Sequence, residues 1–349
     1  MIQPNDSTLS RNGASRCKPL LLYVGHGYHK VTESTKFFLE LLSERYRVEI
    51  LWDESWRDAS RKIRARQVNA FNPDVVLFFQ TLPVRAEISR IRCRNKIFVP
   101  MYDSVVHSMR RMRRRVRGQC LRTINFCGET QRFFSRLGCV SLQVQYWPLP
   151  RISRPRTVDG VRIFFWIRRN EIGWPTLKTI LGNFRPDHIL LRCAADPGQH
   201  LLLPTAEETR EFNISIVEGW LEKDRYRELF EACNVYVAPR LFEGIGLSFL
   251  EAMTHGLAVV APDLPTMNEY IRHGENGYLY DPEKIVPIDF GDLARVRESA
   301  LADVVSGSQD WIRQRAKLLE FIGASLPKET LFERILTWGR RLPLIGEVI

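Results

Sequence analysis

Short apolar runs, each closed by a turn signal and followed by a helix-length amphipathic segment, constrain this chain more than any other feature. PLLLYVGHGYHK stops at Gly25-His26-Gly27, and a helical pattern follows with Phe37, Phe38, Leu41 and Leu42 on one face. RVEILWD, PDVVLFF at 73–79 and KIFVPMYD at 96–103 repeat the theme. Strands that are apolar throughout must be covered on both faces, which predicts a parallel sheet flanked by helices. The pattern breaks at PLPRISRPRTVDG, 148–160, whose Pro, Arg and Ser read as an exposed linker. It restarts with VRIFFWI, HILLRC, NISIVEG, VYVAP, AVVAP and GYLY, with KDRYRELFEACN and LSFLEAMTHG as helices between them.

A length of 349 residues suits two such domains. The expected organisation is a flexible tail at 1–18, a first Rossmann-like domain at 19–150 and a linker at 151–160. A second Rossmann-like domain at 161–325 follows, then a C-terminal helix at 326–349 packing back toward the first. The fold class is α/β, two parallel-sheet domains facing a cleft in which ligands bind beyond the carboxyl ends of the strands.

The seven cysteines show no CxxC pair and no matching His spacing, which argues against a zinc site or a disulfide framework and for a reducing, cytoplasmic setting. The first 18 residues lack the apolar stretch of a signal peptide, and no run approaches the roughly 20 apolar residues that cross a bilayer. A net charge of +11 predicts an anionic partner: a phosphorylated small molecule, an acidic membrane surface or nucleic acid.

In LFEGIGLSFLEAM, 241–253, two glutamates bracket a glycine-rich apolar stretch between a strand ending near Pro239 and a helix beginning near Leu247 or Ser248. Gly244 and Gly246 let backbone approach a ligand, and the first amides of the helix face it, an arrangement suited to phosphate. Ser248 and Glu251 also have the S-x-x-E spacing of a capping box, which taken alone explains Glu251. Glu243 has no such explanation.

The run APRLFEGIGLSFLEAMTHGLAVVAPD resembles the E-x7-E motif of retaining glycosyltransferases of the two-domain GT-B fold, family 4 type, the "glycosyl transferases group 1" set. EYIRHGENGYLYDP downstream, VEGWLEKDRYRELFEACNVYVAP upstream and TINFCGETQRFFSRLGC, similar to the helix leading up to the linker, extend it. The resemblance is dense over 213–282. It implies that Glu243 lies near the donor sugar and Glu251 binds the ribose hydroxyls. Gly244, Ile245, Gly246 and Leu247 would hold sugar and diphosphate with their amides. Arg168 or Arg169 would supply the diphosphate-binding arginine, and Ile172 stands where the family has a lysine, a gap that Arg240 or the second arginine could fill. Gly25 and Gly27 occupy the place of the family's glycine-rich loop, where a plain turn is an equal reading. Asp103 stands where the family often has a His-Asp pair, and Glu269 reads as structural. No metal or other cofactor is expected. The co-substrate would be a nucleotide diphosphate sugar, and the acceptor a saccharide or lipid-linked hydroxyl in surface polysaccharide or glycolipid synthesis.

VVHSMRRMRRRVRG, 105–118, carries Arg110, Arg111, Arg113, Arg114, Arg115 and Arg117, with Val105, Met109, Met112 and Val116 as the stripe of an amphipathic helix. Three readings stand: a solvated surface helix, a basic face docking on anionic lipid at the inner side of the cell membrane, and a nucleic-acid surface. No aromatic interleaving or nucleic-acid module supports the third, although a DNA-modifying glycosyltransferase is kept as an alternative. The other rivals are a non-catalytic basic binding protein, or an epimerase or hydrolase, on the same scaffold.

Overall fold

The computed structural model describes residues 18–32, 34–196, 198–219 and 222–324. The expected tail and the expected helix at 326–349 lie outside the described residues, apart from Lys18 in the former. Two six-stranded sheets, every pairing parallel, account for the strands. The first holds β1 (Leu20–His26), β2 (Arg47–Asp53), β3 (Val75–Phe79), β4 (Asn95–Val99), β5 (Arg122–Asn125) and β6 (Val140–Gln143), in the order β2-β1-β3-β4-β5-β6. The second holds β7 (Arg162–Ile167), β8 (His188–Cys193), β9 (Ile214–Glu218), β10 (Val235–Val237), β11 (Ala258–Pro262) and β12 (Tyr278–Tyr280), in the order β12-β11-β10-β7-β8-β9.

The helices of the first half are α1 (His29–Thr32), α2 (Lys36–Arg45), α3 (Ala65–Ala70), α4 (Arg85–Arg90), α5 (Tyr102–Val105), α6 (Met109–Val116) and α7 (Gly128–Arg136). Those of the second are α8 (Trp174–Leu181), α9 (Ala206–Glu211), α10 (Lys223–Glu231), α11 (Leu247–Thr254) and α12 (Leu293–Gly323).

Alternate residues of each apolar run go to opposite faces, and both faces are buried. In the first sheet Leu21, Tyr23, Leu77 and Phe79 enter one core, and Leu22, Val24, Val76 and Phe78 another. In the second, Phe164, Leu190 and Tyr236 join the same core as Leu21 and Tyr23, so one apolar cluster runs continuously between the two sheets. The outer face of the second sheet, with Phe165, Leu191 and Val237, has a core of its own.

Two elements of the fold differ from the sequence reading. TINF does not begin a helix: Arg122–Asn125 is β5, α7 starts only at Gly128, and β6 follows it. β5 buries polar residues whose partners lie beside it, Thr123 Oγ1 on Ser141 Oγ at 2.7 Å and Asn125 Nδ2 on Gln131 Oε1 at 2.8 Å, so it carries no apolar run to read. The second is α12, 31 residues long. It starts on the second domain, where Arg297 Nε donates to Gly256 O at 2.7 Å, and ends on the first, where Asn95 Nδ2 donates to Ile322 O at 2.8 Å. The return to the first domain is therefore already made before residue 326. Among the described residues no helix is long and apolar enough to cross a membrane.

The halves also meet through Glu269. Its carboxylate accepts from Gly128 N at 2.9 and 3.0 Å and from Cys127 Sγ at 3.1 Å, so a side chain of the second domain fills the first amide of α7 in the first. The structural reading of Glu269 thereby acquires a physical reason. Replacing Glu269 by alanine leaves the buried Gly128 amide without an acceptor and is expected to lower stability by about 1–3 kcal/mol. Glu269→Gln, which keeps an acceptor, should lose less, and urea unfolding of both variants measures the difference.

Candidate active site

β7 and β10 are neighbours at the centre of the second sheet, but the chain leaves them in opposite directions, β8 and β9 lying beyond β7 and β11 and β12 beyond β10. Loops that diverge in this way open a crevice at the carboxyl edge. Arg168 and Arg169 leave β7 there, Asp196 follows β8, and Arg240 begins the stretch after β10. All four side chains converge. Arg168 reaches Asp196 Oδ1 at 2.7 Å through Nη2 and 2.9 Å through Nε. Arg169 Nε and Arg240 Nη2 reach Oδ2 at 2.8 and 3.1 Å. Desolvation works against the Asp196 charge, but Arg168, Arg169 and Arg240 outweigh it and hold its pKa below the usual carboxylate range. One carboxylate thus holds three guanidiniums in place.

The first domain reaches the same point. β4 ends at Val99, and Asp103 in the first turn of α5 lies 3.6 Å from Arg240 Nη1. Burial raises the Asp103 pKa, with Arg240 opposing it. A polar chain runs on from Asp103: its Oδ1 accepts from Ser104 Oγ at 3.3 Å, Ser104 Oγ accepts from Gln80 Nε2 at 2.9 Å, and Gln80 Oε1 meets His29 Nε2 at 2.6 Å. His29 is half-buried and fixed, and desolvation lowers its pKa. Gly25 and Gly27 are buried at the end of β1, where a Cβ would stand 2.5 Å from the Tyr23 ring and 2.7 Å from the Glu54 carboxylate. Their lack of side chains is required by packing within the first domain.

The segment from Arg240 to α11 closes the crevice. A Cβ on Gly244 would lie 2.7 Å from Met101 Sδ, so this glycine lets the two domains touch. Ile245 is buried, and Gly246, at φ +84°, turns the chain into α11, which begins at Leu247. No side chain caps α11, so the capping-box reading of Ser248 and Glu251 is corrected: Ser248 lies inside the first turn rather than at the cap. Its first amides are left for another acceptor.

The two glutamates sit at either end of this segment. No described residue donates a hydrogen bond to either carboxylate. Glu243 is half-buried, and desolvation, opposed by Arg240 and reinforced by Asp103, pushes its pKa up to about 7. Glu251 is open to solvent, yet protein crowds it enough that desolvation raises its pKa, against Arg151. A side chain both wetted and crowded marks a concave surface.

Ile172 is fully buried in the outer core of the second sheet, so the family's lysine position offers no cation here. Arg169 and Arg240 bring two further cations to the Asp196 cluster. Asp196, the hub of the cluster, was not visible in the sequence as a site residue. Its place just past the end of β8 is the signal that could have found it, because every other member also follows a strand end. On the first domain, α6 presents Arg110, Arg111, Arg113, Arg114 and Arg117 to solvent. Arg115 is half-buried and donates to Leu82 O at 2.8 Å. Met112 and Val116 of the apolar stripe pack inward with Val105.

Residues 198–294 match the family described as Glycosyl transferases group 1. The segment includes Arg240, both glutamates and Glu269. Alpha-maltose-1-phosphate synthase of Mycolicibacterium smegmatis is 29% identical over 160 residues, 42% of this chain and 40% of that protein. A serotype-specific mannosyltransferase of Escherichia coli is 35% identical over 88 residues, 25% of this chain and 10% of that protein. The chain thus spans less than half the length of these curated relatives. Among solved structures, Anabaena HepE in complex with UDP and glucose superposes with a TM-score of 0.54 at 13% identity, over 86% of this chain and all of that one. The lipopolysaccharide outer core galactosyltransferase WaaB does so with a TM-score of 0.54 at 13% identity, over 87% of this chain and all of that one. These likenesses show the GT-B fold.

Two outcomes are expected of the cluster. Asp196 is 10% exposed, so Asp196→Asn leaves three guanidiniums facing one another and should lower stability by about 3–5 kcal/mol in urea unfolding. Glu243 acts in the opposite sense. Its folded pKa of about 7 lies above the ordinary 4.5, so its contribution to stability is complete below pH 4.5 and is lost as pH rises to 7. The stability of the wild type relative to Glu243→Gln should fall across that window and stay level above it, read from unfolding curves at a series of pH values.

Proposed function

We propose that this chain is a retaining glycosyltransferase that moves a sugar from a nucleotide diphosphate sugar to an acceptor hydroxyl. The observation that carries the reading is the meeting of Arg168, Arg169 and Arg240 at the crevice, beside an uncapped helix start and a carboxylate, Glu243, that no hydrogen bond claims. Guanidiniums fork onto phosphate oxygens, and the open amides of α11 add donors at the same place. Both would grip a diphosphate harder as the sugar departs and its negative charge grows.

In this reading Arg168, Arg169 and Arg240 stabilise the leaving diphosphate, and Asp196 keeps them aimed. Glu243 lies against the donor sugar with Gly244, Ile245, Gly246 and Leu247 around it, and Glu251 accepts from the two ribose hydroxyls. Asp103, joined to His29 through Ser104 and Gln80, faces the acceptor side, beyond Gly25 and Gly27. The departing phosphate takes the acceptor proton on the face it leaves, which preserves the anomeric configuration. The cationic side chains would do the work that a metal ion does in other phosphate-binding sites.

The acceptor we infer is a saccharide, free or lipid-linked, in cell-surface polysaccharide or glycolipid synthesis. Support comes from the activities of similar proteins, an outer core galactosyltransferase and a serotype-specific mannosyltransferase. We infer a cytoplasmic site of action.

Turnover with a panel of nucleotide sugars and saccharide acceptors, with the product anomer read by proton NMR, tests this function. Glu251→Gln should raise the donor KM about tenfold or more, the loss expected for a charged hydrogen bond, with a smaller change in kcat. Glu243→Gln should lower kcat about a hundredfold or more. Inverted product, or full activity in Glu243→Gln, would overturn the mechanism.

A further inference from the structure

A second cationic site lies outside the crevice. The end of α6 and the start of α4 enclose a groove of about 660 Å³ lined by Arg85, Arg111, Arg113, Arg114, Arg115 and Arg117. Among the described residues no acidic side chain lines it.

Elsewhere eight arginines have an acidic partner close by in the chain. Arg61, Arg90, Arg132, Arg225, Arg227, Arg272, Arg295 and Arg313 each pair with an Asp or Glu three residues away. α6, MRRMRRRV, contains no acid of its own, and arginines repeat at the three- and four-residue spacings that place like charges side by side. Each such pair is unfavourable by about 0.2–0.5 kcal/mol, offset in part because Arg113, Arg114 and Arg115 lie in the last turn, where the helix dipole favours cations. A helix serving solubility alone would interleave acids. The repulsion is relieved when an anion enters.

We propose that this groove binds a compact group of two or three linked phosphates. Arginine, rather than lysine, suits that ligand, because each planar fork can take two phosphate oxygens. The concave shape favours a discrete cluster of phosphates over a flat charged surface, and the apolar stripe of α6 is turned into the core rather than outward for insertion into lipid. Burial and the neighbouring Arg111 lower the Arg115 pKa, with Asp53 opposing them. Arg115 also ties the groove to the crevice: it holds Leu82 O at 2.8 Å, two residues past Gln80 of the His29–Asp103 chain. The ligand can come from two sources, a soluble polyphosphate or the diphosphate headgroup of a lipid. This site is separate from the donor crevice, and its failure would leave the proposed function untouched.

Titration calorimetry of the full chain with tripolyphosphate tests the groove. The variants are Arg111→Gln/Arg114→Gln and, as a crevice control, Arg168→Gln/Arg169→Gln. Both groove positions are exposed, so the first variant should keep the wild-type melting temperature or exceed it. Because the crevice is itself proposed to seat a diphosphate, the crevice variant is the background: it should still bind tripolyphosphate, more weakly with added salt, and adding the two groove substitutions to it should lower that affinity about tenfold or more. Equal affinity of the crevice variant with and without the groove substitutions overturns the proposal. Flotation with phosphatidylcholine vesicles separates the sources. Capture by a polyprenyl diphosphate that tripolyphosphate displaces assigns the headgroup, and no capture beside intact tripolyphosphate binding assigns the soluble ligand. Capture by phosphatidylglycerol vesicles, or of duplex DNA, that tripolyphosphate does not displace would show a diffuse charged surface and contradict a phosphate-cluster site.

Discussion

The site is organised by the Asp196 carboxylate, which holds Arg168, Arg169 and Arg240 within 3.1 Å of its two oxygens. Three guanidiniums would otherwise repel one another and swing into solvent. Together with this one buried acid they form a pre-arranged cationic surface whose net charge remains positive. The fold makes the meeting possible. The three elements concerned end at one edge of the second sheet, around the switch in chain direction between β7 and β10.

The second requirement is that the other domain stay in register with this edge. Gly244 against Met101, the Asp103–Arg240 contact and the Glu269 bond to α7 all cross between the domains, and α12 spans both. Phe37, Tyr146 and Trp311 join them in an aromatic cluster, with ring centroids 4.0 and 5.3 Å apart. Asp103 and Glu243 therefore face the same arginine from opposite domains, and each has its pKa raised by burial while that arginine opposes the shift.

Most of the strands were legible because they are apolar on both faces, and so was the crevice segment, because two glutamates in an apolar setting demand an explanation. What escaped reading did so for physical reasons. β5 hides Thr123 and Asn125 in a polar network and lacks an apolar run. The apolar face of α12 changes partner midway, from Val296, Ala300 and Val304 to Trp311, Leu318 and Ile322, with Gly307 fitted against the Trp147 ring between them. Asp196 is a lone acid in a loop, and only the topology shows that it meets arginines 27 and 28 residues before it and another 44 residues after it. Ser248 and Glu251 have capping spacing, yet the positive φ of Gly246 starts the helix two residues too early for that cap.

The central claim is that the Asp196-held arginines form the seat of a nucleotide diphosphate. Calorimetric titration of UDP, GDP, ADP and TDP into the wild type and into Arg168→Gln/Arg169→Gln tests it most directly. One-to-one binding of at least one of these nucleotides, weakened about tenfold or more in the variant, is the predicted result. A nucleotide that binds both proteins equally well, or no nucleotide binding to the wild type, would contradict it.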